Sequence, residues 1–472
     1  MVFPVSIELR VSAITVMASL LLSGCTMAPA YQRPEAPVPL AWSHKDTSVE
    51  GMYTTAANGP FFTDSKLQQL IKLTIDNNKD LELSALNLKK SGVQYGVERL
   101  SWLPAVSLTA EKTAAHEPAG SFDTVDTGSV TYHQYNVKLV SASWEVDFWG
   151  RLRSLREASL NEYLAAGASS RALKISLIEQ VVSAYLIYFT DQENISIARQ
   201  KLDNLQQLRH MQQQAYNAGD MTKNALMDAD SAVNDAQSEL NQTELQVQQD
   251  LNSLQLLVGT PLPDSLLNVS PEHDWAFPLI KAGTPSEVLL KRPDIIAAEY
   301  QLKAANASIG AARAAFFPSI SITAEGGSST ADMGKLLAGG AANWSFIPTL
   351  NIPIFDGGKN QANLSLAELN KKIEIVNYQK AIQQAFRDAS DALAGQAFLK
   401  KQTIQTSGIF DTVKEQYRMA EATRNAGQIS NATLLEKNNE LLAVRKQKAN
   451  SRLKYLIQGV KVFTILGGDD SI

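Results

Sequence analysis

The sequence predicts a mixed α and β membrane protein made from one long unit used twice. Three observations carry that prediction: an internal duplication, short stretches that alternate apolar and polar residues, and very long helical stretches without proline. At a constant offset of 214, Asp80, Leu88, Lys89, Gly96, Arg99, Pro104, Ser107, Thr109, Ala110 and Glu111 meet Asp294, Leu302, Lys303, Gly310, Arg313, Pro318, Ser321, Thr323, Ala324 and Glu325. Further on the offset falls to 208, aligning Asn217-Ala218-Gly219 with Asn425-Ala426-Gly427 and Gly259 with Gly467. Such a unit is far longer than the repeats of about 20–45 residues that stack into solenoids. It points to two similar halves around an axis, an arrangement that suits a channel wall.

The N-terminus reads as an export signal. An apolar run from Val11 to Leu22 follows Arg10 and ends in Ser23-Gly24-Cys25. The ending Leu22-Ser23-Gly24-Cys25 looks like a bacterial lipobox, in which the cysteine becomes the lipidated mature N-terminus. The alternative is an ordinary signal peptide with an incidental cysteine. Cys25 is the only cysteine in the chain, so a CxxC metal site is excluded. Thr26 follows it where an inner-membrane retention signal would place Asp. The next residues carry Pro29, Pro34, Pro37 and Pro39 and read as an extended surface leader.

Helical periodicity runs from Ser65 to about Trp102, with small residues at Ala85, Gly92 and Gly96. Pro104 breaks it and the period becomes two. Val106, Leu108 and Ala110 alternate with Ser107, Thr109 and Glu111, and a second alternating run covers Tyr132 to Asp147. In the second copy Pro318 makes the same break and Ile320, Ile322 and Ala324 alternate. A Gly-rich loop over 326–340 is expected next, then a returning strand with Trp344, Phe346, Pro348, Leu350, Ile352 and Ile354. Each copy thus supplies a hairpin of two strands, each at or above the ~9–11 residues needed to cross a bilayer. Trp102, Trp144, Trp149, Phe316, Phe317 and Trp344 sit at strand ends, where interfacial aromatics belong. A soluble amphipathic hairpin on a core is the competing reading.

Arg151 to Asn217 is helical without proline, a length of ~100 Å if straight. Asp220 to Val258 returns after Gly219, keeping Leu226, Val233, Leu240, Val247 and Leu254 in one stripe. In the second copy Leu435, Leu442, Ala449, Leu456 and Phe463 fall seven apart, as in coiled coils. No run after residue 24 reaches the ~20 apolar residues of a spanning helix. Two hairpins make four membrane strands, and four cannot close a barrel, because edges in lipid leave backbone groups unpaired. Two, three or four copies would give 8, 12 or 16 strands.

Other chemistry is poorly supported. Net charge is −5 and charged residues are 19% of the chain, so no nucleic-acid footprint is present. His44, His116, His133, His210 and His273 are scattered. Gly327 to Lys335 lacks the spacing of a phosphate loop. Asp388 and Asp391 lie three apart on one helix face, where solvated or interhelical roles are the simpler reading.

Longer stretches now stand out together. Cys25 with Ala28-Pro29-Ala30-Tyr31-Gln32-Arg33-Pro34, the run Ala304 to Ser321, Asn351-Ile352-Pro353-Ile354-Phe355-Asp356-Gly357-Gly358 and Ile465-Leu466-Gly467-Gly468 resemble the TolC-like (NodT-type) outer membrane factor lipoproteins, the exit ducts of tripartite efflux pumps. The resemblance covers nearly all of 25–468. It implies a homotrimer whose 12-stranded outer-membrane β-barrel, four strands per chain, continues into a periplasmic α-helical coiled-coil barrel. The organisation it implies is a signal peptide at 1–24, a leader and belt at 25–64 and a first repeat at 65–260. A belt segment at 261–285, a second repeat at 286–468 and a tail at 469–472 follow. Expected partners are a periplasmic adaptor, an inner-membrane pump and outer-membrane lipid, with no cofactor and no reaction. The expected role is a passive efflux duct for drugs or other toxic small molecules; protein or peptide secretion, heavy-metal efflux and a poreless coiled-coil lipoprotein are the alternatives.

The resemblance also implies functional positions. Cys25 would be lipidated. Glu421 would form a carboxylate ring at the closed periplasmic end, with Arg424 and Tyr216 completing the gate. The family usually has Arg-Tyr where this chain has Thr423-Arg424. The turns at Gly219 and Gly427 would face the adaptor.

Overall fold

The computed structural model describes residues 26–39, 61–119, 129–268, 275, 277, 290–338, 340–465 and 467–468. The expected signal peptide, Cys25, the loop between the first two strands, most of the 261–285 segment and the 469–472 tail lie outside the described residues. Helices α1 (Ser65–Asn77) and α2 (Lys79–Leu100) lead to strands β1 (Val106–Glu117) and β2 (Val130–Val146). Then come α3 (Arg151–Ala218), α4 (Lys223–Val258) and the short α5 (Asp264–Leu267). The second copy has α6 (Pro293–Ala314), β3 (Ser319–Thr330), β4 (Ala342–Asn351), α7 (Lys359–Asn425) and α8 (Asn431–Ile465).

The duplication holds at the level of local chemistry. α2 and α6 are each 22 residues long, and α3 and α7 have 68 and 67. Thr222 Oγ1 caps α4 by accepting from Ala225 N at 3.3 Å. Ser430, 208 positions later, accepts from Thr433 N at 3.1 Å at the start of α8. Side-chain oxygens satisfy helix-start N–H groups that have no partner within the helix.

Two differences from the sequence reading have clear causes. The helix expected from Ser65 to Trp102 is broken at Asn78. That residue leaves the helix at ψ 130° and its Oδ1 accepts from Asp80 N and Leu81 N at 2.9 and 3.0 Å. Its Nδ2 donates to Leu257 O at 2.7 Å, so the break is held by α4. The Gly-rich segment expected as a loop from 326 continues β3 to Thr330 instead. An added Cβ on Gly327 would lie 2.1 Å from Val137 O, so glycine here is what lets β2 and β3 approach.

The chain divides into two compact units. One comprises 1–35, 88–166 and 298–378, and the other 36–87, 167–297 and 379–472. The first holds the antiparallel sheet, ordered β1-β2-β3-β4. The second holds an apolar core from α1, α3, α4, α5 and α8, including Phe62, Leu70, Val181, Tyr185, Leu254 and Phe463. Tyr185 Oη donates to Leu266 O at 2.7 Å, so the buried phenol is not left unpaired. The sevenfold series Leu435, Leu442, Ala449, Leu456 and Phe463 is buried, as the coiled-coil spacing requires. One stretch of α3 is long and apolar enough to cross a membrane by composition, contrary to expectation. Its Val181, Val182, Tyr185 and Leu186 are buried in the second unit's core.

Candidate functional site

The sheet sorts its side chains into an apolar and a polar face. Directly opposed residues share a face. Leu108↔Leu139, Ala110↔Val137, Gly326↔Trp344, Ala324↔Phe346 and Ile320↔Leu350 lie on one. Thr109↔Lys138, Glu111↔Asn136, Ser321↔Thr349 and Glu325↔Ser345 lie on the other. The apolar face is bare: Leu108 is 69% and Trp344 82% exposed. The polar face is internally paired. Lys138 Nζ bonds Glu325 Oε1 at 3.0 Å, Gln134 Nε2 donates to Ser329 Oγ at 2.9 Å, and Ser329 Oγ donates to Asn136 Oδ1 at 2.7 Å. One side is suited to lipid and the other to water.

A bulge keeps this sorting intact. Between Ser141 and Trp144 the β2–β3 register shifts, and Ser143 adopts φ 48°. One extra residue reverses the alternation. Trp144 therefore lands opposite Ile322 on the apolar face, and Glu145 opposite Ser321 on the polar one. Without the bulge Glu145 would face lipid. Placed as it is, it binds Arg151 at 2.5 Å. Nearby, Trp144 Nε1 donates to Trp102 O and Trp149 Nε1 to Pro318 O, both at 2.8 Å. Trp149 stacks on Phe317 with ring centroids 4.6 Å apart. The aromatics thus tie the strand bases to backbone carbonyls, as at a membrane interface.

Among the described residues β1 and β4 are sheet edges with no further strand beside them. Exposed apolar stripes extend from both. Val93, Val97 and Leu100 precede β1 on α2, and Leu366, Leu369, Ile373 and Val376 follow β4 on α7. Steps of three and four place each set on one helix face.

The expected gate positions fall at the ends of the helical hairpins. Gly219 and Gly427 take φ 85° and 76°, the left-handed region in which a side chain is strained. Both close their helices with paired backbone bonds. Gly219 N donates to Tyr216 O and Asp220 N to Ala215 O; Gly427 N donates to Arg424 O and Gln428 N to Thr423 O. Glu421 and Tyr216 are solvent-exposed. Among the described residues Arg424 reaches no carboxylate and bonds Asn425 Oδ1 at 3.2 Å. The arginine engaged near this tip is Arg418, which pairs with Glu415 at 2.7 Å. Tyr417, which the sequence reading passed over, is the aromatic close to Glu421. Burial, and then the Glu421 charge, push its phenol above the usual tyrosine range.

The leader supplies a feature that spacing could not reveal. Arg33 Nη2 bonds both Glu299 oxygens, at 3.0 and 2.8 Å, and Lys303 approaches the same carboxylate at 3.1 Å. Burial raises Glu299, but the hydrogen bonds and charges of Arg33 and Lys303 prevail and hold it below the ordinary glutamate range. Burial and Glu299 together push Tyr31 up to about 12. Further along α6, Asn306 Nδ2 donates to Pro29 O at 2.8 Å. A Cβ on Gly310 would stand 2.6 Å from Ser154 Oγ and 2.7 Å from Ala28 N. Thr26 Oγ1 meets Ser154 Oγ at 3.3 Å. Residues 26–33 therefore strap α6, from the second copy, to the start of α3, from the first.

Comparison with known proteins agrees with this architecture. The model of the family described as "Outer membrane efflux protein" matches residues 70–260 and 284–468. Over 458 residues the chain is 36% identical to the toluene efflux pump outer membrane protein TtgC of Pseudomonas putida, covering 96% of this chain and 94% of that one. A solved membrane protein from Pseudomonas aeruginosa superposes with a TM-score of 0.84 at 35% identity, covering 94% of this chain and 98% of that one. The open state of the MtrE outer membrane channel of Neisseria gonorrhoeae superposes at 0.80 with 30% identity, covering 94% and 98%.

Proposed function

This chain belongs to the outer membrane efflux protein family and is an outer-membrane efflux channel of TolC-like fold, and we propose that it acts as a passive homotrimeric duct for drugs and other toxic small molecules. The observation that carries this reading is the open, two-faced sheet. An unpaired edge in lipid costs several kcal/mol per backbone group, and the free edges β1 and β4 are complementary ends of one antiparallel order. Joining β4 of one copy to β1 of the next satisfies both. The exposed α2 and α7 stripes flank those edges and would meet in the same step. Three copies give twelve strands, the number the family resemblance implies.

The polar face then lines water and the chain supplies wall and gate, with energy coming from an inner-membrane pump joined through a periplasmic adaptor. The Gly219 and Gly427 turns are the adaptor-facing tips. Three Glu421 carboxylates around the axis attract cations and resist close approach by mutual repulsion. Cys25 carries the lipid anchor. The strap supports this, since it holds Thr26 beside Ser154 at the start of α3, just after β2. Acyl chains contribute about 0.8 kcal/mol per buried CH₂, so several of them anchor firmly.

The cargo class follows the relative named for toluene efflux: apolar organic compounds. A deletion strain tested against solvents, dyes, antibiotics, and copper and silver salts checks it. Broad hypersensitivity to organic compounds is expected. Sensitivity confined to metal ions overturns the drug reading in favour of metal efflux.

A further inference from the structure

Along the α3–α4 hairpin, charged residues face each other in rungs counted from the Gly219 turn. Arg209 pairs with Asp230 at 2.8 Å, Lys201 with Glu239 at 2.8 Å, and Arg199 with Glu244 at 2.7 Å. All three are attractive. Farther from the turn, Asp191 and Asp250 face one another within hydrogen-bonding reach. That rung is carboxyl against carboxyl.

The surroundings do not neutralise it. Asp250 Oδ1 accepts from Gln246 Nε2 at 2.8 Å, while its Oδ2 is buried without a partner among the described residues. Asp191 Oδ1 accepts from Asn194 Nδ2 at 2.9 Å, and Asn194, 6% exposed, also reaches Asn450 Oδ1 on α8 at 3.3 Å. Lys446 on α8 is the cation acting on Asp191, but its Nζ is committed to Glu239 at 2.6 Å. Glu193 and Arg445 close a separate pair at 3.1 Å. Two carboxylates in contact cannot both ionise without repulsion, and one proton between them gives the orphaned oxygen a partner.

We propose that Asp191 and Asp250 share a proton across the α3–α4 hairpin and form an acid-tightened latch on the arm that ends at the Gly219 turn. The latch is peculiar to the first copy: the positions 208 residues on are Leu399 and Gln458. Burial raises Asp191 above the usual aspartate range, and Asp250 raises it further; Asn194 and Lys446 pull it partly back. A carboxyl raised in the folded state stabilises that state in acid. Its contribution is lost as pH rises through the folded value. The arm therefore tightens in acid and loosens toward neutrality. The link to gating rests on the duct reading, whereas the latch does not.

The test uses the full-length protein in detergent or outer-membrane vesicles. Infrared difference spectra follow the C=O stretch of protonated carboxyls, and melting is compared across a pH series that starts in the ordinary aspartate range and rises to neutrality and beyond. The native protein should show a carboxyl band titrating above the ordinary aspartate range and a higher melting temperature at the acid end, after subtraction of the Asp250→Asn profile. Asp250→Asn and Asp191→Asn should each lose the band. Identical spectra in native protein and variants, or parallel melting profiles, overturn the proposal. Pump-dependent drug resistance, measured beside these, reports on the duct reading separately.

Discussion

Replacing Glu239 by Gln should destabilise the second unit by about 1.7 kcal/mol at neutral pH. Glu239 binds Lys201 of α3 and Lys446 of α8 at 2.8 and 2.6 Å, so one carboxylate ties α4 to two helices. The lysine hydrogen bonds, chiefly that of Lys201, hold its pKa at about 2 against an ordinary 4.5. At about 1.36 kcal/mol per pKa unit, the full shift is worth roughly 3.4 kcal/mol. The side chain is 32% exposed, and solvent screening at the two half-exposed lysines removes about half of that. Since the folded pKa is depressed, the contribution is present above the unfolded value and disappears as pH falls from about 4.5 toward 2. The assay is thermal unfolding of native protein and Glu239→Gln across that range. The two curves should separate at neutral pH and converge in acid. A constant difference, or none at neutral pH, would refute the claim that the charged bridge carries the energy.

Gly327→Ala forces β2 and β3 apart and should cost roughly 2–4 kcal/mol through lost ladder bonds, read as reduced heat-resistant oligomer in outer-membrane fractions; Gly334→Ala, in the β3–β4 loop, serves as the tolerated control. Glu421→Ala should raise ion conductance or antibiotic leak through the reconstituted channel, and unchanged conductance would remove Glu421 from the gate. Cys25→Ser should abolish acylation while leaving some oligomer in the outer membrane, since the strands themselves hold the bilayer; total loss would show that assembly needs the lipid.

What the sequence disclosed and what it hid have physical causes. The repeat was legible because turns and caps depend on local residue types, so Gly219 and Gly427, or Thr222 and Ser430, recur at one offset. The two β-hairpins were legible from period-two alternation. The far half of β1, from Lys112 to Glu117, was not, because its mixture of Lys, Thr, Ala and His carries no clean period. Gly326 and Gly327 read as loop because glycine weakens an isolated strand; they are strand because Trp344 lies opposite one and the Val137 carbonyl crowds the other. The break at Asn78 had a signal in its own residue type, an asparagine before Lys-Asp. The Arg33–Glu299 clamp and the Asp191–Asp250 rung had none, since each joins residues distant in the chain. Arg424, suggested by family pattern, lies beside the Gly427 turn and, among the described residues, bonds Asn425 and no carboxylate.

The central claim is that β4 of one copy closes on β1 of another. Disulfide trapping tests it most directly, with one cysteine placed in β1 and one in β4 on the apolar face, for example at Leu108 and Phe346 and at flanking positions, in a Cys25→Ser background. Oxidation in intact outer membranes should yield, for at least one pair, covalent species that rise to three chains and stop. Cross-links confined to single chains, or a ladder ending at two or continuing to four, would contradict the closed twelve-stranded wall.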